Sequence, residues 1–364
     1  MLGSPFSGAG SLTACAGSGP GPLQVLLENT TFSESTAQSL LQSGGAVAML
    51  WELQRSLESL DSSLSVSNCT FSNNTVFESP TGFGYSETNL GPGSLFGGGA
   101  VFSMVSLLVE KSSFFDNSVA GLPFLRAGGG AVAAGSSVII RDSLFTENSV
   151  QECSFDIASD SLIGQIGGGA VLLSGMQDIS VSGSRFFRNK VIRSATSTSY
   201  FSYTSKAGMN NNGGGAVLVI NPMLNPSVVG SALIEDCDFS GNAVLDVGSS
   251  FVVSGGFSSY LPFANGGNAN GGGAVFSGIP IHLSHCTFEH NLVNNCGIGG
   301  SRVNIISTSG GQGGFQNGGG AVLCVSNCTI SSSTFASNLV THTSNGGTGN
   351  TLVGSFSTLD TLVN

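Results

Sequence analysis

Apolar residues recur along the chain at fixed offsets from a Phe that is followed three residues later by Asn. The pairs are Phe71/Asn74, Phe114/Asn117, Phe145/Asn148, Phe186/Asn189, Phe239/Asn242, Phe288/Asn291 and Phe335/Asn338, with a degenerate copy at Phe32/Ser35. Five residues before each Phe stands an aliphatic: Leu27, Val66, Val109, Ile140, Val181, Ile234, Leu283 or Ile330. Two before is always small: Thr30, Cys69, Ser112, Ser143, Ser184, Cys237, Cys286 or Ser333. Five after is Val76, Val119, Val150, Val191, Val244, Val293 or Val340, with Ala37 in the first copy. Steps of two are the side-chain period of a β-strand. The step of three from the aliphatic to the small residue adds one residue and bends the chain. Each copy therefore predicts short strands joined by tight bends that keep one face inward.

A second motif, GGGAV, precedes most Phe units, with its Ala at Ala100, Ala131, Ala170, Ala216, Ala274 and Ala321; a shorter SGGAV has Ala46. Its glycines supply backbone freedom and close approach at the start of a further strand. One copy cannot bury its apolar face alone, whereas stacked copies align each inward position into a ladder. The pattern predicts an all-β, three-sided parallel solenoid of about seven or eight coils, and its period of two excludes most helical repeats. The expected interior holds Phe, Val, aliphatic and Cys/Ser/Thr ladders. The Asn residues are expected to form a buried ladder that satisfies backbone groups at a turn. Leu50, Leu53, Leu57 and Leu60 have helical spacing and predict one short helix within 48–62.

Most length variation falls between the Asn and the next GGG, so long insertion loops are expected on one edge. They carry aromatics, including Tyr85, Tyr200, Tyr203 and Tyr260. Insertions gathered on one edge commonly form the functional surface of a repeat protein; the alternative is loops folded back to shield the stack. Residues 23–345 read as the repeat domain, 1–22 as a disordered or incomplete coil, and 346–364 as an incomplete insertion or tail. Both ends fall mid-repeat with no visible cap, which predicts a fragment of a longer protein. Its exposed end coils are candidates for end-to-end self-stacking, since uncapped edges are pairing templates.

Composition narrows the functional classes. The 364 residues include 55 Gly and 10 Pro, with no Gly-X-Y period, which excludes collagen. Charged residues are 9% and hydrophobic residues 40%, so general disorder is not expected. With 10 Lys+Arg and a net charge of −11, nucleic-acid binding is not expected either. No apolar run is long enough for a membrane span, and residues 1–22 lack the basic start and apolar core of a secretory signal.

The paired motifs, such as Gly98-Gly99-Ala100-Val101 with Phe114-Phe115-Asp116-Asn117 and Gly129-Gly130-Ala131-Val132 with Phe145-Thr146-Glu147-Asn148, resemble those of chlamydial polymorphic membrane proteins. Similar repeats occur in other large surface proteins with the pectin-lyase-like fold. The resemblance runs from about residue 23 to 345 and implies a right-handed β-helix, surface display and adhesion. The chain departs from that family in lacking its secretion signal and C-terminal barrel, and in its third Gly.

Candidate chemistry is sparse. Asp236, Asp238 and His285 are the candidate catalytic residues, because stacking sets Asp236 beside His285 and a carboxylate–histidine pair on a β-helix face suits glycan cleavage. The alternative is a ladder of complementary surface charges, as at Asp238/Arg185, Glu110/Arg141 and Lys111/Asp142. His282, His285, Glu289 and His290 do not have zinc-site spacing, so no metal or cofactor is expected. Cys69, Cys237 and Cys286 read as core packing. Glycosylation sequons at Asn29, Asn68, Asn73 and Asn327 are as many as chance supplies.

The reading is a non-catalytic structural or adhesive stretch of an extracellular or cell-surface protein, with glycans or cell-surface proteins as partners. A pectin-lyase-like carbohydrate-active enzyme and an inert spacer are its alternatives.

Overall fold

The computed structural model describes residues 11–16, 22–39, 44–51, 62–78, 96–121, 127–153, 166–174, 179–194, 197–200, 212–220, 230–247, 250–253, 270–296, 318–341 and 359–363. They form a right-handed parallel β-helix with no helix among them.

Three parallel sheets run the length of the stack. The GGGAV strands make one, from Leu12–Ala16 and Val47–Trp51 to Val322–Cys324. The aliphatic and Phe strands make the second, in two rows that merge in the nine-residue strand Cys328–Ala336. The Val strands make the third, from Thr36–Ser39 to Leu339–Thr341. Register follows the sequence ladders: Phe114 pairs with Phe71 and Phe145, and Val119 with Val76 and Val150.

One residue in the left-handed region turns each corner. Three residues before the Phe, φ is +48° at Lys111, +49° at Asp142 and +52° at Asp236; two after, it is +52° at Asp116 and +54° at Arg188; seven after, it is +54° at Glu152 and +57° at Asp246. The step of three in the hydrophobic pattern is this residue, which turns outward while the next resumes the inward row. Left-handed backbone is costly for residues with a Cβ, so something must hold each corner. At the first corner it is the small residue that follows. Ser112 Oγ donates to Glu110 O (2.8 Å) and accepts from Cys69 N (3.1 Å), and Ser143 and Ser184 repeat the arrangement. Thiols take the same place: Cys237 Sγ lies 3.1 Å from Glu235 O and Cys286 Sγ 3.2 Å from Ser284 O. This explains why only Ser, Thr and Cys occur there.

The second corner is held by the Asn ladder. Asn117 Nδ2 donates to Phe71 O (3.1 Å) and Asn148 Oδ1 (2.9 Å), and Asn117 N donates to the same Oδ1 (3.1 Å). Asn189 repeats this with Phe145 O and Asn242 Oδ1, both at 3.0 Å, and Asn242 with Phe186 O and Asn291 Oδ1, again both at 3.0 Å. Each of these Asn residues thus spans three coils with its amide fully satisfied, and Asn74, Asn117, Asn148, Asn189, Asn242 and Asn291 are completely buried. Asn338 departs from the expected burial. It donates to Phe288 O (2.9 Å) and accepts from Asn291 Nδ2 (2.8 Å), but it is only half-buried. It belongs to the last described coil of the ladder, so no further Asn lies over it to exclude water.

Beside the Asn ladder the Phe rings stack 4.7–5.0 Å apart and within 11° of parallel. Phe71, Phe114, Phe145, Phe186, Phe239 and Phe288 are buried, whereas Phe335, on the same last coil as Asn338, is half-buried.

The expected ladders divide between two cores. Phe and aliphatic ladders pack with the inward residues of the GGGAV sheet, but the Val ladder forms its own cluster with Cys153, Ile166, Val247 and Cys296. The third glycine of each triplet lies between them. A Cβ on Gly169 would stand 2.1 Å from Gly215 O and 2.5 Å from Lys190 N; on Gly130 it would stand 2.1 Å from Gly169 O and 2.5 Å from Ser149 N. Backbone meets backbone at this waist, so no side chain fits.

One further expectation changes. Leu50 sits in the strand Val47–Trp51, because the alternating pattern of the GGGAV sheet continues through it; Leu53, Leu57 and Leu60 lie outside the described residues. Leu12–Ala16, within the segment read as an incomplete coil, pairs with Val47–Trp51, and Leu359–Val363, within the segment read as a tail, pairs antiparallel with Cys328–Ala336. Residues at outward positions of the GGGAV sheet (Phe102, Leu172, Leu218, Ile220 and Phe276) are fully buried, so this face is no solvent surface.

Gly169→Ala is expected to destabilise the protein by about 3 kcal/mol or more, as forced overpacking does. Gly241→Asn, at a corner where a Cβ would meet only Arg188 Cγ at 3.5 Å, should stay within about 1 kcal/mol. Asn148→Ala leaves Asn117 N, one hydrogen of Asn117 Nδ2 and Phe114 O without these partners and should cost about 3 kcal/mol. Denaturant melts of the three variants read all of these.

Candidate functional site

The exterior of the Phe sheet carries a shallow groove of about 460 Å³. Two outward rows form its floor. Leu144, Arg185, Asp238 and Thr287 stand just before the Phe ladder, and Thr146, Phe187, Ser240 and Glu289 just after it. Strand alternation puts both rows outside because the Phe between them points in. The ladder amides nearest this region, Asn189 and Asn242, are buried and are not among the residues that line the groove. Asn338 does not line it either.

Asp238 lies in the groove, with its Oδ2 3.7 Å from Arg185 Nε. Both side chains are well exposed, so the pair adds little stability. Phe187 is 37% exposed, and the Arg188 guanidinium lies 4.6 Å from its ring centre. Arg188 also reaches Glu147 Oε1 at 3.5 Å. Asp236 and His285 occupy the first corner in consecutive coils, next to the groove. Both are exposed, and among the described residues no hydrogen bond joins them. Register thus brings the three candidate residues to one region without linking an acid to a base.

Elsewhere outward charges pair along the stack. Arg141 Nη2 meets Glu110 Oε2 at 3.1 Å, and Arg193 Nη2 meets Glu152 Oε1 at 2.8 Å. The Arg141 guanidinium holds the Glu110 carboxyl below its ordinary value. The expected Lys111/Asp142 pair is replaced: Lys111 Nζ lies 3.4 Å from Glu110 Oε1 on the preceding residue. Four basic residues (Arg185, Arg188, Lys190 and Arg193) fall on one coil, and three of them meet carboxylates on the coils beside it. Among the described residues no three His, Cys, Asp or Glu side chains gather as a metal site.

The aromatic candidates are not placed. Tyr85, Tyr203 and Tyr260 lie outside the described residues, and for Tyr200 only the backbone is described. That backbone is informative: Ser197–Tyr200 pairs in parallel with Ser250–Val253, so two consecutive insertions begin as a strand ladder of their own.

Two rows escaped the sequence reading. Cys153, Ser194, Val247 and Cys296 stand eight residues after the Phe, beyond the third corner; Cys153 N donates to Ser194 Oγ (3.3 Å). Asn212 and Asn270, just before the triplet, form a second Asn ladder in which Asn212 Nδ2 donates to Asn270 Oδ1 at 2.8 Å. The offset of eight was available as a signal, since it continues the rule that every step of three marks a corner.

Cys69, Cys237, Cys286, Cys296, Cys324 and Cys328 are free thiols. The Cys237 thiol is pushed up by its hydrogen bond with Cys286 and by burial. Burial pushes the Cys296 thiol up to about 12. The unfolded chain then loses this proton at lower pH than the folded one, so the folded state binds more protons in between. Stability should fall as pH rises from the ordinary thiol value toward 12, by up to about 1.4 kcal/mol per pH unit from this group. Comparing melts of wild type and Cys296→Ser between those limits isolates it, and native Cys296 should resist alkylation that labels it after unfolding.

No protein-family model matches the chain, and neither a curated protein nor a solved structure does.

Proposed function

We propose that the chain is a non-catalytic structural and adhesive β-helix of a large cell-surface or secreted protein, contacting glycans or cell-surface proteins through its insertion edge. The observation that carries this reading is the position of the breaks in the coil. Val strands end at Ser39, Glu78, Ala120, Gln151, Ile192, Leu245, Asn294 and Thr341, stacked one above another in a single sheet. The longest segments between strands therefore leave and return at one corner, and variable sequence is displayed along one edge of a rigid rod. The ladder between Ser197–Tyr200 and Ser250–Val253 supports an ordered start to that edge.

The pectin-lyase-like enzyme is the weaker reading. The GGGAV sheet lies between the two corners that carry insertions, where a substrate cleft would find walls. Its outward side chains are apolar and buried rather than polar and convergent. The outer groove of the Phe sheet is shallow, and of its two carboxylates Asp238 faces the Arg185 guanidinium. The motif resemblance to chlamydial polymorphic membrane proteins favours surface display, and an inert spacer would need no long insertions.

The test uses the full chain on arrayed glycans and immobilised cell-surface preparations. Replacing 254–269 with the sequence of 122–126 should weaken binding at least about tenfold. Wild type should release neither reducing sugar nor unsaturated product from a polysaccharide panel. Binding by no surface would reject adhesion in favour of a spacer. Cleavage lost in Asp236→Asn, Asp238→Asn or His285→Gln would reject the non-catalytic reading.

A further inference from the structure

The two rims of the stack are chemically alike. Phe32 and Phe335 are half-buried, each with one ring face covered by a neighbour, while every ladder Phe between them is fully buried. Backbone groups at the first rim can be assigned by alternation. Ser63 N donates to Leu23 O and Asn29 N donates to Ser67 O, so odd residues of Gln24–Glu28 face the second coil. Leu26 accordingly turns its N–H and C=O to the rim, and its side chain is 61% exposed.

The other rim is treated differently. Leu359–Val363 runs antiparallel along Cys328–Ala336, pairing Val363 with Thr329, Leu362 with Ile330, Thr361 with Ser331 and Leu359 with Ser333. It is the only antiparallel pairing among the described strands. A parallel coil would extend the solenoid; a reversed strand fills the edge and stops the repeat. Its sequence, LDTLV, carries one charge, Asp360, and edge charges are a common protection against strand pairing.

We propose that Leu359–Val363 is a strand plug that keeps a second copy of this chain from stacking head to tail on the Cys328–Ala336 rim. The competing occupant is Gln24–Glu28 with Thr31–Ser33 of that copy. These strands already pair with Ser63–Ser67 and Thr70–Ser72 in the register used throughout the stack. Laid on the last coil in that register, Leu27 meets Ile330 and Phe32 meets Phe335. Both contacts repeat ones the chain makes within itself, so no new complementarity is required. The contact is heterologous and does not close, so copies would add in a line. This proposal does not depend on the adhesive reading.

The test is sedimentation velocity and negative-stain microscopy of the full-length chain over a concentration series. Wild type should stay monomeric. Ile281 N donates to Asn327 O and His285 N to Ser331 O, so Ile330 turns its backbone groups to the plug and pairs there with Leu362. Leu362→Pro, which removes that donor outside the solenoid, should associate at least about tenfold more tightly and give linear multimers. Adding Leu26→Pro, which removes a rim donor and no donor to the second coil, should restore the monomer. Leu26→Lys, an exposed outward change, reads the same point if the proline impairs folding. A folded Leu362→Pro protein that remains monomeric overturns the proposal. So does wild type that associates equally, or association that survives both Leu26 changes.

Discussion

The structure depends on backbone meeting backbone at the third glycine of each triplet. There the strand entering the GGGAV sheet passes so near the Val strand that a Cβ would sit about 2.5 Å from a backbone nitrogen. Coils must also repeat at one strand spacing, so Gly130 lies against the carbonyl of Gly169, and Gly169 against that of Gly215. The waist divides the interior into a large Phe-aliphatic core and a smaller Val-Cys core. It also fixes where the variable segments start, since the corner that carries them borders the smaller core. The waist glycine is the one that the resembling two-glycine repeats also carry before Ala; the added first glycine lies against the next coil instead, where a Cβ on Gly128 would stand 1.8 Å from Gly167 O.

Around that waist the same economy recurs at each corner. One left-handed residue reverses the chain, and one buried polar group holds it: a hydroxyl or thiol at the first corner, a carboxamide at the second, and a thiol or hydroxyl again at the third in three of its four described copies. Ser112, Ser143, Ser184, Cys237, Cys286 and the Asn ladder also bond to the coil next to them, so local turn and long-range stacking are satisfied by the same atoms. Cooperativity follows, because removing one Asn leaves groups unpaired in the coils on either side. The mechanism also restricts what can be exposed. Inward rows are committed to ladders, outward charges pair along the stack, and most variation is left to the segments between Val strand and triplet.

Constant and variable sequence therefore separate along the chain. The rod is nearly invariant from coil to coil, and the insertions differ in every coil. Such a division suits presentation of a surface more than assembly of a reaction centre, where acid and base must converge in a protected space. Asp236, Asp238 and His285 illustrate the difference. Register makes them neighbours, yet two occupy exposed corners and the third faces an arginine.

Much of this was legible in the sequence because a repeat reports its own contacts. Offsets of two and three from Phe encoded strands and bends, and stacking turned each offset into a ladder, so Phe114 beside Phe145, Asn189 beside Asn242 and Glu110 beside Arg141 needed no coordinates. What the sequence determined by itself was this periodic part, where each contact is between equivalent positions. Tertiary structure decided the contacts between positions that are not equivalent, and which copies of a ladder lie at its end, as Asn338 does. The waist joins a glycine to a strand elsewhere on the coil, Leu50 joins a strand despite helical spacing, and Leu359–Val363 reverses onto a distant rim. Lys111 turns to Glu110 rather than Asp142 because the two share a short reach across the corner. No period encodes such contacts; they follow from the closing geometry of the coil, which exists only once the chain is folded.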